Sequence, residues 1–107
     1  MKRKRIIPAI LAAALLFTSA LAQSSAQVNH STGEVTYSVQ ANEASVATLF
    51  VRAQGSEEYL FADFLTAQDG AFTGSFLLPE DAAGGYYELI FFRRTDDMPE
   101  TIQVFYA

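Results

Sequence analysis

The stretch DGAFTGSFLLPEDAAGGYYELIFF, from Asp69 to Phe92, decides the fold class. Asp69-Gly70 is a tight-turn signal, because glycine tolerates the positive φ such turns demand and aspartate caps its own turn. Beyond it Phe72, Gly74, Phe76 and Leu78 recur at a period of two, which sets them on one face of a strand, and Pro79 ends that strand. Gly74 between two rings makes room for an aromatic side chain from the opposing layer. After the connection PEDAAGG, a second strand runs from about Tyr86 to Arg94 with Tyr87, Leu89 and Phe91 inward. Two aromatic strands around a proline-acid-glycine loop describe a β-protein with a ring-filled core.

Working outward, the same period of two appears on both sides. Val35, Tyr37 and Val39 alternate with Thr36, Ser38 and Gln40. A strand over about Ser45 to Ala53 sets Ala47, Leu49 and Val51 on one side. Another over about Glu58 to Thr66 sets Leu60, Ala62 and Phe64 together. The last runs from Thr101 to Tyr106 with Ile102, Val104 and Tyr106 inward. A helix over NEASVATLFVRAQ is the local rival, since Ala, Glu, Leu and Arg favour helices; the β-branched and aromatic run from Val46 to Val51 favours a strand. Six strands with turn chemistry between them predict an antiparallel sandwich with Phe72, Phe76, Tyr87, Leu89 and Phe91 in its core.

The first 22 residues stand apart from that pattern. Lys2, Arg3, Lys4 and Arg5 lead into IIPAILAAALLF and then Ala20-Leu21-Ala22, the arrangement of a secretory signal peptide with cleavage after Ala22. Its apolar run is too short to span a bilayer, which takes about 20 residues, so contact with a membrane is expected only before cleavage. Residues 23–33, QSSAQVNHSTG, read as a flexible linker, and 34–107 as the folded domain. The expected location is secreted, with possible retention at the cell surface.

Removing the leader leaves 85 of 107 residues, one domain with a modest core. It also removes four of the seven basic residues, so three arginines face twelve acids and the net charge becomes −9, with no lysine. That balance argues against nucleic acid, whose phosphates are bound by clustered Lys and Arg. Exported chains of this size often rely on disulfides, yet there is no cysteine. Packing of eight Phe and five Tyr must serve instead.

The block from Asp69 to Phe92, with FADFLTAQ before it and TIQVFYA after it, resembles the short immunoglobulin-like modules of large secreted bacterial surface proteins. In that pattern a D-G-x-F turn opens one strand and G-x-Y-x-hydrophobic opens the next after a loop. The resemblance covers Glu34 to Ala107. It implies an all-β, immunoglobulin-like antiparallel β-sandwich of six to seven strands, acting as a structural or adhesive unit either alone or within an extracellular array. It brings no catalytic residue and no cofactor.

An immunoglobulin-like topology would join the strands at 58–66, 86–94 and 101–106 in one sheet and the other three in its partner. Phe61, Ile90, Phe92 and Phe105 would then lie together on an outer face, a contact for a neighbouring domain, a surface protein or a second copy. The competing expectation is that a register slip or bulge sends some of them inward.

Other candidates are thinner. Tyr59, Tyr86 and Tyr87 could stack on sugar rings, making a carbohydrate-binding module the alternative; a tyrosine following Gly-Gly more often fills the end of a sandwich and bonds its hydroxyl to backbone. Asp96, Asp97 and Glu100 could hold calcium but lack the D-x-D-x-D-G spacing, and an acidic hairpin tip serves solubility equally well. His30 is the lone histidine and Asp63 an isolated acid expected to point outward. Neither suggests an enzyme or a metal site. Asn29-His30-Ser31 matches the glycosylation acceptor pattern, read here as a coincidence.

Overall fold

The alternating strands assemble into two stacked antiparallel sheets. A computed structural model describes residues 24–95 and 97–107; the leader at 1–22 lies outside the described residues. Seven strands follow one another: β1 (Ser25–Val28), β2 (Glu34–Gln40), β3 (Val46–Ala53), β4 (Phe61–Thr66), β5 (Ala71–Leu77), β6 (Gly85–Arg93) and β7 (Glu100–Tyr106). One sheet has the order β1-β2-β5 and the other β4-β3-β6-β7. Among the described residues there is no helix, so the helical rival for NEASVATLFVRAQ is set aside.

Alternation fixes what each strand buries. Val35, Tyr37 and Val39 of β2, Ala47, Leu49 and Val51 of β3, and Tyr87, Leu89 and Phe91 of β6 all enter the core. They meet Phe72, Phe76 and Leu78 from the β5 segment and Val104 of β7. Phe72, Leu49, Leu89 and Phe91 are wholly buried, and each contributes about 1.5–3 kcal/mol on burial. This interior carries the load that disulfides would otherwise take.

Three local features differ from the sequence expectation. First, the supposed linker contains β1, which pairs antiparallel with β2 from Ser25↔Ser38 to Val28↔Val35. The intervening turn is organised by Asn29, whose side-chain oxygen accepts from Ser31 N and Thr32 N while Gly33 N donates to Asn29 O. Second, β3 does not join β2 and β5; it sits in the larger sheet between β4 and β6. Third, β4 is turned over by one residue. Its pairing runs from Val51↔Phe61 to Val46↔Thr66, so Phe61 and Leu65 share the inward side with Val51 and Ala47. Phe64 points out and is 86% exposed. A one-residue shift in register exchanges the two faces of a strand.

Asp69 and Gly70 adopt φ of 54° and 80°, the left-handed pair of a two-residue turn. Gln68 and Ala71 exchange both backbone hydrogen bonds across it, at 2.8 and 3.1 Å. The ladder stops there. β4 and β5 diverge into different sheets, so hairpin chemistry serves a crossing between layers.

Gly74 makes room as expected, but for a ring of its own sheet. Tyr37 lies directly opposite it on β2, and a Cβ at Gly74 would fall 2.6 Å from the Tyr37 hydroxyl. The ring then reaches across the core to Phe91, 5.4 Å away between centroids. Arg93 ties the layers at one end. It is buried, and its guanidinium donates to Gln40 O of β2 at 2.7 Å and to Glu100 of β7 at 2.8 Å.

Candidate contact face

The outward side of β4-β3-β6-β7 holds the side chains left over from the core alternation. The register arranges them in rows. Phe64, Thr48 and Phe92 form the first, and Ala62, Phe50, Ile90 and Thr101 the second. Arg52, Glu88 and Gln103 form the third, and Tyr86 and Phe105 the fourth. Three rings cluster at one end: Phe50 meets Phe92 edge-on at 5.7 Å and lies 5.0 Å from Tyr59, which arrives from the β3–β4 loop. At the other end Tyr86 and Phe105 meet edge-on at 5.0 Å. Such offset pairs add about 0.5–1.5 kcal/mol beyond area burial.

Between the two aromatic ends runs a polar band. Arg52 Nε donates to Glu88 Oε1 at 2.8 Å, and Arg52 Nη1 donates to Ser56 O at 3.3 Å. The hydrogen bond to Glu88 raises the guanidinium pKa above its ordinary value against an opposing effect of desolvation, so Arg52 keeps its charge. The strand positions of this face therefore carry one ion pair and no surplus charge, on a body that is strongly acidic.

Of the four residues expected on this face, the structure brings three to it. Ile90, Phe92 and Phe105 point outward from β6 and β7, although Ile90 is only 7% exposed beneath its neighbours. Phe61 is the exception. It lies on the inner side of β4, stacked on Phe76 with centroids 5.0 Å apart and planes 17° from parallel. The competing expectation of a register shift therefore holds for this one position. The face also gains Tyr59 and Tyr86, which the sequence offers only as sugar-stacking candidates, and Phe50 and Phe64, which follow once β3 is given to this sheet and β4 is turned over.

The tyrosine trio does not form one platform. Tyr87 is buried, and its hydroxyl donates to Ala83 O at 2.5 Å, four residues back. Tyr59 packs on Phe50 and Tyr86 on Phe105, in separate clusters. Burial is the leading cause that raises the Tyr87 phenol pKa above its usual value, with Tyr106 and Asp81 adding to it. An open crevice of about 350 Å³ beside this corner is lined by Ala53, Gln54 and the segment from Ala83 to Tyr87. Its lining offers phenols, Gln54 and backbone.

Two of the remaining polar candidates, His30 and Glu100, have local partners. His30 stacks on Tyr106 with planes 12° apart, and its Nδ1 accepts from Ala107 N at 3.3 Å. Glu100 is held by Arg93. Asp96 lies outside the described residues, and among those described no group of three or more His, Asp or Glu is placed to hold a metal ion. Asp63 does not point outward. It shares the inward side of β4 with Phe61 and lies exposed at the sheet's open edge. There its charge adds to burial in raising the Tyr37 phenol pKa, burial being the larger cause. Comparison with known proteins finds no matching family model, no matching curated protein and no matching solved structure.

Proposed function

We propose that the chain is an exported, non-catalytic interaction module of immunoglobulin-like type whose contact surface is the outer face of β4-β3-β6-β7. The observation that carries this is the run of exposed rings on that face. Phe64, Phe92, Phe105, Tyr59 and Tyr86 are respectively 86%, 43%, 49%, 52% and 50% exposed. An aromatic side chain can bury roughly 150–250 Å², so these five leave roughly 400–700 Å² in water. The Arg52–Glu88 band divides them into two groups on one face, and exposed apolar groups rimmed by polar residues mark contact sites.

The immunoglobulin-like part of the reading draws on strand order. A constant-type sandwich pairs its first, second, fifth and fourth strands in one sheet and its third, sixth and seventh in the other. Here β1-β2-β5 and β3-β6-β7 keep that order, and β4 alone has moved across to pair with β3. The Tyr87 hydroxyl bonded to Ala83 O, near the start of the sixth strand, has the form of a tyrosine corner. Export is supported by the basic, apolar and small-residue leader.

The test follows the protein in its host. The exported chain should begin at Gln23 and should cross-link through this face into a complex larger than one copy. The double variant Phe64→Ser, Phe92→Ser should fold and be exported, yet cross-link only weakly. A chain that keeps its leader inside the cell, or a double variant cross-linked as well as the parent, would reject the proposal.

A further inference from the structure

Given that this face is the contact surface, we infer that its occupant is a second copy of the chain, stacked face to face about a twofold axis. Area points to this first. A standard interface takes about 800 Å² from each partner. The five rings supply most of that, and the half-exposed Leu60 and Val46 bring the face close to it. Charge separates a second copy from a basic partner. The outer strand positions are neutral through the Arg52–Glu88 pair, while the chain after its leader carries −9. The acids therefore lie mostly away from the contact, where they repel a second copy only at long range and are screened by salt.

The rows fix how two copies would meet. A twofold axis lying along the strands, between β3 and β6, sets β3 of one copy over β6 of the other at the same level. Phe50 then faces Ile90 of the second copy, and Arg52 faces Glu88 of the second copy, each contact occurring twice. Phe105 comes over the Tyr59–Leu60 segment. An axis across the strands would instead set Ile90 against a carboxylate and Phe50 against a guanidinium. The arrangement along the strands is self-complementary in both shape and charge. Stacked sheets cross at about 30°, so the match is best near the axis, where the ion pair lies.

The test is sedimentation velocity on the purified chain, with circular dichroism to confirm that each variant folds. The parent should be dimeric in the micromolar range, and more so in about 0.5 M than in about 0.05 M salt, because screening relieves repulsion between acidic bodies. Phe64→Ser with Phe92→Ser should weaken the dimer about 30-fold or more. Arg52→Glu alone and Glu88→Arg alone should each be monomeric, since each sets like charges face to face. Mixed together, the two should form a heterodimer, because both facing pairs become opposite in sign.

A parent that stays monomeric to about 0.1 mM at either salt overturns the second copy as occupant. Cross-linking of the exported chain in its host then decides separately whether the face binds another protein. A dimer indifferent to the ring substitutions, or charge variants that each dimerise like the parent, also overturns the proposed stacking. Association that weakens with salt would point to charge attraction and reject it as well.

Discussion

Gly74 shows how one absent side chain can set the packing of both sheets. Tyr37 crosses the space over Gly74 and is then pinned between Phe76, 6.3 Å away, and Phe91. Gly74→Ala would force that ring to move against its packed neighbours. The expected loss is about 1–3 kcal/mol, the usual cost of overpacking a core. Adding Tyr37→Phe should recover part of it, because the nearest clash is with the hydroxyl oxygen. Chemical denaturation of the four proteins in the cycle measures the coupling; strict additivity would mean that the two positions do not meet. The phenols of Tyr37 and Tyr87 give a second expectation. Both have pKa values raised in the fold, chiefly by burial, so the folded state favours their neutral forms. Their contribution is complete below the ordinary phenol value of about 10 and fades as pH rises through the higher folded values. Melting temperature should hold steady from about pH 7 to 9 and fall beyond about 10, less steeply in Tyr37→Phe and in Tyr87→Phe. An unchanged melt well above that range would contradict this.

At the scale of elements, β4 marks the boundary of what the sequence could tell. Five of the seven strands, with their inward faces, follow from period-two alternation in residues such as Val35-Tyr37-Val39 and Tyr87-Leu89-Phe91. The segment LFADFLT is different, because Leu60 and Phe64 form one apolar set and Phe61 and Leu65 form the other. Hydropathy cannot choose between them, and the β3–β4 loop decides: Leu60 N donates to Val51 O at 2.7 Å, which sets Phe61 opposite Val51. The error spread from there to the contact face, exchanging Phe61 for Phe64. The assignment of β3 failed for another reason. Strand order depends on where connections cross, and Asp69-Gly70 carries local hairpin chemistry although its flanking strands separate. β1 went unread because Ser25-Ala26-Gln27-Val28 has only small apolar groups, although its alternation and the NHSTG turn before β2 were available signals. The register of β4 can be tested directly. Phe61→Ala should cost about 2–4 kcal/mol, somewhat below the range for a fully buried phenylalanine, while Phe64→Ala should stay within about 0.5 kcal/mol at concentrations too low for association. Equal losses at the two positions, by urea denaturation, would mean that β4 is wrongly oriented.

For the whole molecule the governing fact is charge. Twelve acids face three arginines after the leader, and two of those arginines are already committed, Arg52 to Glu88 and Arg93 to Glu100. These ion pairs among the described residues do not offset the mutual repulsion of so many carboxylates, and the compact state suffers more from that repulsion than the expanded chain. Salt screens the repulsion over about 10 Å at 0.1 M. It weakens the Arg93–Glu100 pair less, since the guanidinium is buried between the sheets. Melting temperature should therefore rise from about 10 mM to about 300 mM salt. Two sources of that rise can be separated by dilution. Relief of self-repulsion within one copy does not depend on protein concentration, whereas stabilisation through a second copy grows with it by mass action. In the Phe64→Ser, Phe92→Ser variant only the concentration-independent part should survive. A melting temperature that falls with salt in that variant would show the two ion pairs outweighing the acidic excess, and the repulsion argument would fail with it.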